Sequence, residues 1–288
     1  MKRALIALLG LAAGCAPAPQ STASQAPASQ PAGTIAQPAG YRLVWADEFE
    51  GTGLPDASRW AYDTAFNKRG WHNEEKQYYS AARAKNSRLE GGRLIVEAHA
   101  DEAEIRSLPD WGGQRYSSAR LVTAGKASWR YGYFEARAKL PCGRGSWPAI
   151  WTLADVPNMK WPDDGEIDIM EHVGFDPGVV HQTIHTGAYN HVKGTHKAGQ
   201  LKVPDACEAF HLYQLHWTPE RIRMGIDGRT VFTFDKPSND KAEWPFDLPH
   251  YLILNVAVGG AWGRRQGIDD AALPQRMEVD YVRVYQAR

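Results

Sequence analysis

Cysteine is scarce in this sequence, and neither sign of charge is in excess. Its three cysteines, Cys15, Cys142 and Cys207, lie far apart and form no Cys-x-x-Cys pair, which excludes a dense disulfide scaffold and a metal site built on such pairs. Thirty-three basic residues balance 33 acidic ones, so the formal net charge is zero. Nucleic acid is therefore not expected as a partner, since neutralising phosphates needs a basic surplus.

The sequence also lacks a sustained helical stripe of apolar residues, which argues against alternating strands and helices. Apolar and polar residues alternate instead in short runs between turn residues, for example at 131–140 and 278–285. Two further runs predict hairpins, one turning at Gly91-Gly92 and one at Asp227-Gly228. With 288 residues of which 43% are hydrophobic, the predicted fold class is one all-β domain, an antiparallel β-sandwich.

Long hydrophobic runs are missing as well. Residues 4–14 are apolar but too few to span the roughly 30 Å hydrocarbon core of a bilayer. Lys2 and Arg3 precede this run and small residues follow it, a pattern typical of a secretory signal peptide. Export implies an oxidising compartment, in which Cys142 and Cys207 either pair or remain two half-buried thiols.

The residues after the apolar run predict a lipid anchor and a spacer. Leu-Ala-Ala-Gly-Cys at 11–15 resembles the bacterial lipobox, with ordinary cleavage nearby, for example after Ala18, as the alternative. Residues 16–39, rich in Pro, Ala, Ser and Gln, predict a linker without a core. The expected organisation is a signal peptide (1–14), lipidated Cys15 with its linker (15–39) and a folded domain (40–288). By resemblance to the lipoprotein sorting pattern, the location is the outer membrane, otherwise the periplasm or the medium, and the lipid is the only membrane contact.

The densest chemistry lies in residues 165–172, Gly-Glu-Ile-Asp-Ile-Met-Glu-His. Alternation along a strand places Glu166 and Asp168 on one face but would turn Glu171 towards the core. Because burying a lone carboxylate there is costly, we predict a β-bulge near Ile169-Met170 that returns Glu171 to the acidic face. The three acids then form a row.

The spacing of the two glutamates favours one hydrolytic route. With the bulge, Glu166 and Glu171 are four strand steps apart, about 13 Å between Cα atoms, and inward-leaning side chains bring the carboxyl groups to about 5 Å, the range of retaining glycosidases. Crowded carboxylates cannot all ionise cheaply, so one end is expected to be a nucleophile and the other a protonated general acid, with Asp168 setting which holds the proton. A solvated acidic strand face or a metal site is the alternative interpretation.

The acidic motif and the preceding Gly-Ser-Trp-Pro-Ala-Ile-Trp at 145–151 together resemble glycoside hydrolase family 16, in its laminarinase (endo-1,3-β-glucanase) branch. Further matches follow in chain order at 45–49, 70–74, 77–79, 116–120, 131–137, 252–260 and 279–285. The resemblance therefore extends over nearly the whole predicted domain.

The resemblance implies a curved jelly-roll sandwich of the concanavalin A-like kind with a concave cleft, and retaining hydrolysis of a β-glucan. It implies that Glu166 is the nucleophile, Glu171 the acid/base and Asp168 their support. The extra residue, Met170, separates this branch from members with the shorter Glu-x-Asp-x-Glu motif. Branches that act on agarose or carrageenan share the longer motif, so it does not fix the substrate.

Aromatic and polar side chains outside the motif are candidate sugar contacts. Trp147 and Trp151 lie four residues apart on a predicted strand and so face one side, where indole packs flat on sugar rings. Core packing is the alternative for Trp151, and Trp262 is a further cleft candidate. The resemblance also implies contacts from Asn73 and Arg120, against a plain loop Asn and a surface Arg.

The histidines and the last strand raise the question of metals. His181 and His185 form His-Gln-Thr-Ile-His, which lacks the Glu of His-Glu-x-x-His, so a catalytic zinc is not expected. His185 is expected either as a hydrogen-bonding group beside Glu171 or in a structural role. Relatives often bind a structural calcium through an Asp of the last strand, the position of Asp280. No other cofactor is expected.

The sequence thus predicts an exported, monomeric endo-1,3-β-glucanase that acts on β-glucan polysaccharides such as laminarin. A family activity on mixed-linkage β-glucan or agarose is one alternative. A carbohydrate-binding sandwich without catalysis is another, from a different class. The acid row favours an enzyme, because a binding protein gains nothing from carboxylates that repel one another.

Overall fold

The computed structural model describes residues 33–288 of the chain, and its strands form two sheets. Strand makes up 44% of the described residues and helix 5%, which confirms the all-β prediction. The described residues include two short α-helices, α1 (Glu102–Ile105) and α2 (Gly260–Gly263), and two 3₁₀ helices at His72–Glu74 and Asp270–Ala272. Among residues 33–288, no helix has the length and apolarity that a bilayer crossing requires.

The strands in chain order are β1 Tyr41–Asp47, β2 Ala61–Tyr62, β3 Gln77–Tyr79, β4 Ser87–Leu89, β5 Leu94–Ala100, β6 Tyr116–Ser118, β7 Arg120–Val122, β8 Gly132–Lys139, β9 Ser146–Ala154, β10 Glu166–His172, β11 Val179–His185, β12 Lys197–Lys202, β13 His211–Trp217, β14 Arg221–Ile226, β15 Arg229–Asp235, β16 His250–Val258 and β17 Gln275–Ala287.

Two sheets of unequal size form the predicted sandwich. The larger has ten strands in the order β15-β14-β13-β8-β17-β5-β6-β3, with β1 beside β17 and β4 beside β5. The smaller has seven in the order β12-β11-β10-β9-β16-β7-β2, and each neighbouring pair is antiparallel. We call this seven-stranded sheet the cleft sheet, because its strand β10 carries the acidic motif.

The core lies between the two sheets and fixes which face of the cleft sheet points away from it. Ile150, Ile167 and Leu254 of the cleft sheet are fully buried in one cluster with Phe134 and Leu215 of the larger sheet. Since side chains alternate along a strand, the residues next to these three point to the other face. That outer face is where Glu166 and Asp168 lie.

The hairpin predicted at Asp227-Gly228 is present. Ile226 pairs with Arg229, and the two residues between them have φ angles of 50° and 77°. Positive φ at both positions is the requirement of the primed turn that matches the twist of the flanking strands, and Asp-Gly meets it at low cost.

Residues 33–35, which the sequence assigns to the linker, contact this same hairpin. The backbone N–H of Ile35 donates to Gly228 O at 2.8 Å, and the N–H of Thr230 donates to Gly33 O at 2.8 Å. The Ile35 side chain is 2% exposed and lies directly against Gly225, where a Cβ atom would collide with it. The contacts of the folded domain therefore include residues before 40.

The two cysteines of the folded part form a disulfide. Cys142 follows β8 and Cys207 precedes β13, and their Cα atoms lie 5.8 Å apart, within the usual range for such a bond. The sequence left open whether these residues pair, and the structure resolves the choice. Cys15 and the predicted signal peptide lie outside the described residues.

Candidate active site

The predicted bulge is present in β10. Asp168 pairs with Thr183 of β11 and Glu171 pairs with His181, so β10 uses three residue steps where β11 uses two. Ile169 and Met170 both enter the core, 2% and 0% exposed. The extra residue therefore spares the core a carboxylate and returns Glu171 to the outer face.

Burial and mutual repulsion control the ionisation of the three acids. Burial, and then the charge of Glu171, raises the pKa of Glu166 to about 8. Burial also raises the pKa of Glu171 to about 7, although a hydrogen bond from Trp147 partly offsets the rise. The row therefore holds at least one proton near neutral pH, as its crowding predicts.

Asp168 is the acid best placed to carry that proton. Its side chain is 4% exposed, and burial together with the charges of Glu166 and Glu171 raises its pKa well above the usual range. A hydrogen bond between Asp168 and Glu166 stabilises the Glu166 carboxylate and lowers its pKa. A protonated Asp168 thus favours an ionised Glu166 beside it.

An aromatic wall surrounds Glu171. The indole Nε1 of Trp147 donates to Glu171 Oε1 at 3.0 Å. The ring of Trp262, on α2, lies 5.4 Å from that of Trp147 and 4.9 Å from that of His181. Asn73 lies next to this wall, because its backbone carbonyl oxygen and the Trp147 ring both lie against Gly260 of α2. The structure therefore brings together three of the predicted sugar contacts at this end.

The opposite end of the row has its own aromatic group. The Nε1 of Trp161 donates to Glu166 Oε2 at 3.0 Å, and the indole is 38% exposed. The ring of His191 lies 5.1 Å from Trp161 and 5.1 Å from His185. Trp161 was not a sequence candidate, although a tryptophan five residues before the acidic motif was the available signal.

The expectation that His185 lies beside Glu171 is wrong. In the antiparallel register His185 pairs with Glu166, and His181 is the residue opposite Glu171. His185 Nε2 is 3.7 Å from Glu166 Oε1 and 3.5 Å from Asp168 Oδ2. Burial lowers the pKa of His185 to about 3, so this imidazole is neutral at physiological pH. The sequence could not supply the register, which depends on where β11 begins.

Trp151 and Arg120 form part of a fixed network on the same face. The Trp151 indole donates to Asn255 Oδ1 at 2.7 Å, and the Arg120 guanidinium lies 4.7 Å from its ring centroid. Arg120 also pairs with Asp63 at 3.0 Å and its side chain is 11% exposed. It is therefore neither a surface arginine nor a freely accessible one.

A fourth carboxylate, Glu75, lies close enough to influence the acid row. It accepts a hydrogen bond from Gln77 Nε2 at 2.8 Å and one from the Tyr79 hydroxyl at 3.4 Å. Its charge contributes to the raised pKa of Glu171. Sequence reasoning missed this residue because it lies 96 positions from Glu171 in the chain and no local pattern links the two.

The calcium predicted at Asp280 does not fit the contacts seen there. A guanidinium nitrogen of Arg137 donates to Asp280 Oδ2 at 2.6 Å. A calcium ion seeks oxygen ligands without a competing cation, and this carboxylate already has a cationic partner. Calcium at Asp280 stays an untested prediction.

The arrangement suits acid–base chemistry with a covalent step. Two carboxylates face the same side of one strand, each held by an indole N–H, with a third, proton-bearing acid between them. Aromatic rings stand at both ends of the row, where flat apolar faces of a bound ligand can stack. Such a pair needs no metal to supply a nucleophile and a proton donor.

Comparison with known proteins gives consistent matches over most of the described chain. A model of glycosyl hydrolases family 16 matches residues 74–283. The chain is similar to a beta-glucanase of Rhodothermus marinus, 53% identical over 253 residues that cover 85% of each protein. A solved non-specific endo-beta-1,3(4)-glucanase superposes with a TM-score of 0.86 at 52% identity, over 90% of this chain and 96% of that one. The laminarinase of Rhodothermus marinus superposes with a TM-score of 0.80 at 51% identity, over 85% and 97%.

Proposed function

The chain belongs to glycosyl hydrolase family 16, and from this premise we propose that it hydrolyses internal 1,3-β-D-glucosidic linkages of β-glucans such as laminarin, with retention of configuration. The observation that carries the proposal is the bulged strand β10, which places Glu166, Asp168 and Glu171 on one outer face. A binding protein would have no use for three carboxylates whose charges oppose one another.

The first chemical step uses both glutamates. The Glu166 carboxylate attacks the anomeric carbon while Glu171 donates its proton to the glycosidic oxygen. The bond between the anomeric carbon and this oxygen breaks, and the leaving sugar departs as an alcohol. A pKa near 7 at Glu171 suits a donor that works close to neutral pH.

The second step regenerates the enzyme. Glu171, now a carboxylate, accepts a proton from water while the water oxygen attacks the anomeric carbon and Glu166 leaves as a carboxylate. Two inversions at one carbon give net retention. Asp168 holds its proton towards Glu166 throughout, and the Trp161 N–H keeps the Glu166 carboxylate oriented.

The names of the relatives support a β-glucan as substrate, and one of them favours a second candidate. The structural neighbour at 52% identity is described as non-specific for 1,3(4) linkages. Activity on mixed-linkage β-glucan is therefore the second candidate for this chain. Agarose has no such support among these neighbours.

Nuclear magnetic resonance of a fresh digest tests the reaction. When laminarin oligosaccharides are mixed with the enzyme, the β-anomer of the new reducing end is expected to appear first and the α-anomer only later, by mutarotation. Lichenan serves as the mixed-linkage arm and agarose as the negative control. An α-anomer at the earliest time points would exclude retention, and cleavage of agarose alone would exclude the glucan assignment.

We also propose that Cys15 carries a lipid that anchors the enzyme to a bacterial membrane. The support is the lipobox-like segment and the spacer that follows it. Substituting Cys15→Ser should move the protein from the membrane fraction of the expressing bacterium to the soluble exported fraction, measured by fractionation and immunoblot. Ser21→Ala, in the spacer that follows Cys15, is the control for a substitution in this segment. If Cys15→Ser stays in the membrane fraction, the anchor is a different one.

A further inference from the structure

His185 is a buried side chain with one ring nitrogen that has no hydrogen-bond partner among the described residues. It is 6% exposed, and this nitrogen is Nδ1. Its Nε2 lies 3.5 Å and 3.7 Å from carboxylate oxygens of Asp168 and Glu166, which is too far for a good hydrogen bond. Asp168 Oδ2, the nearer of these oxygens, also lacks a partner in the part of the chain that the structure describes. Buried polar atoms without partners call for an explanation.

The donor atoms have the spacing of ligands around one metal ion. One atom each from Glu166, Asp168 and His185 lie within 4.8 Å of one another. Ligand atoms on a tetrahedral zinc, at bond lengths of about 2.1 Å, lie about 3.4 Å apart, close to the two distances that His185 makes. An ion among these three atoms would give the buried Asp168 Oδ2 a partner and would bind the imidazole through Nε2, while Nδ1 would stay unpaired.

We propose that Glu166, Asp168 and His185 bind a divalent transition-metal ion of the zinc type, and that this ion and the glucan exclude each other. One imidazole nitrogen with two carboxylate oxygens suits Zn²⁺ or Cu²⁺, whereas Ca²⁺ and Mg²⁺ prefer an all-oxygen set. Three protein ligands leave a fourth position open towards the cleft. The ion acts as a reversible inhibitor rather than a catalyst, since it occupies the carboxylate that attacks the sugar.

Other clusters of possible metal ligands in residues 33–288 lack this geometry. Cys142, His172 and Cys207 also lie together, but the two sulfurs are joined to each other and offer no thiolate. His211 has a carboxylate on each side, yet Asp205 approaches its Nε2 and Asp227 its Nδ1. Those two carboxylates therefore face opposite edges of the ring and cannot share one ion with it. His211 makes a matched control.

Calorimetric titration with zinc chloride tests the binding. The full chain, stripped with EDTA and dialysed, is expected to bind one Zn²⁺ in the cleft. His185→Gln and Asp168→Asn should each weaken this binding by at least about tenfold, because each removes a ligand. His211→Gln should leave it unchanged. Far-ultraviolet circular dichroism checks that each variant is folded, and two separate ligand variants keep the test decisive if one of them is not.

The exclusion of glucan is tested by inhibition of laminarin hydrolysis. Zn²⁺ should raise the apparent KM without changing kcat, EDTA should restore the activity, and Ca²⁺ at the same concentration should have no effect. Absence of zinc binding by the parent chain, or binding that survives both His185→Gln and Asp168→Asn, overturns the site. Equal inhibition by Ca²⁺ overturns the role of the imidazole.

Only the inhibition half of the inference rests on the proposed function. The calorimetric half needs no turnover, so a chain that binds zinc but hydrolyses no glucan would contradict the proposed function and leave the metal site standing. Hydrolysis of laminarin without any zinc binding would have the opposite meaning. Zinc that binds at His185 without inhibiting would show that Glu166 is free during turnover, and the exclusion would be wrong.

Discussion

Substituting Glu166→Gln lowers kcat/KM for laminarin by at least about 10⁴-fold, the scale of loss when a covalent nucleophile is removed. The amide has nearly the shape of the carboxylate, so the Trp161 N–H keeps an oxygen to bind. It cannot attack the anomeric carbon, however, and no glycosyl–enzyme bond forms. Binding of laminarin should remain measurable by calorimetry, while release of reducing ends falls to the background.

Glu220→Gln is the control for this substitution. Glu220 is exposed in the turn between β13 and β14 of the larger sheet, whereas the acid row lies on the cleft sheet. Its substitution should leave turnover unchanged. Hydrolysis of laminarin by Glu166→Gln at the parent rate would remove Glu166 from the mechanism. Loss of binding together with turnover would indicate damage to the cleft rather than loss of a nucleophile.

Glu171→Gln gives the second largest expected effect, and its size depends on the leaving group. With laminarin, whose leaving alcohol needs a proton, activity should fall by about 10²- to 10⁴-fold. With a dinitrophenyl β-laminaribioside the leaving phenolate needs no proton, so the first step survives. The second step still lacks its base, and we expect a burst of dinitrophenol equal to the enzyme concentration, followed by slow turnover. Stopped-flow absorbance measures both phases.

Glu75→Gln is the matched control, because it removes a neighbouring carboxylate that is neither the nucleophile nor the acid/base. It should show no burst with the dinitrophenyl substrate, since acid and base are both retained. An equal loss by Glu171→Gln on laminarin and on the activated substrate, with no burst, would assign Glu171 a role other than acid and base.

The bulge shows what the sequence can predict about this site. The alternation of side chains along a strand and the cost of burying Glu171 are enough to predict it. It needed no partner strand, since the conflict lies within six residues of one chain segment. For the same reason the Asp227-Gly228 turn was predictable, because its positive φ angles depend on local chemistry alone.

The features that the sequence could not supply depend on pairing between distant segments. The position of His185 opposite Glu166 rather than Glu171 follows from the register between β10 and β11. Glu75 approaches the acid row because its backbone bridges to Gly259, at the end of β16. Trp151 and Arg120 were predicted on the cleft side, but the indole–guanidinium contact that fixes both requires β7 and β9 to flank β16.

The seat of Ile35 on the β14–β15 hairpin determines where the chain can be shortened. A protein that starts at residue 40, as the composition boundary suggests, would leave the groove over Gly225 open and forgo about 1.5–3 kcal/mol from burying that side chain. A protein that starts at residue 33 keeps the Ile35 side chain buried against Gly225. The useful truncation point is therefore set by the contact between Ile35 and Gly225 of β14. Limited proteolysis from the N-terminal side is expected to stop before Ile35.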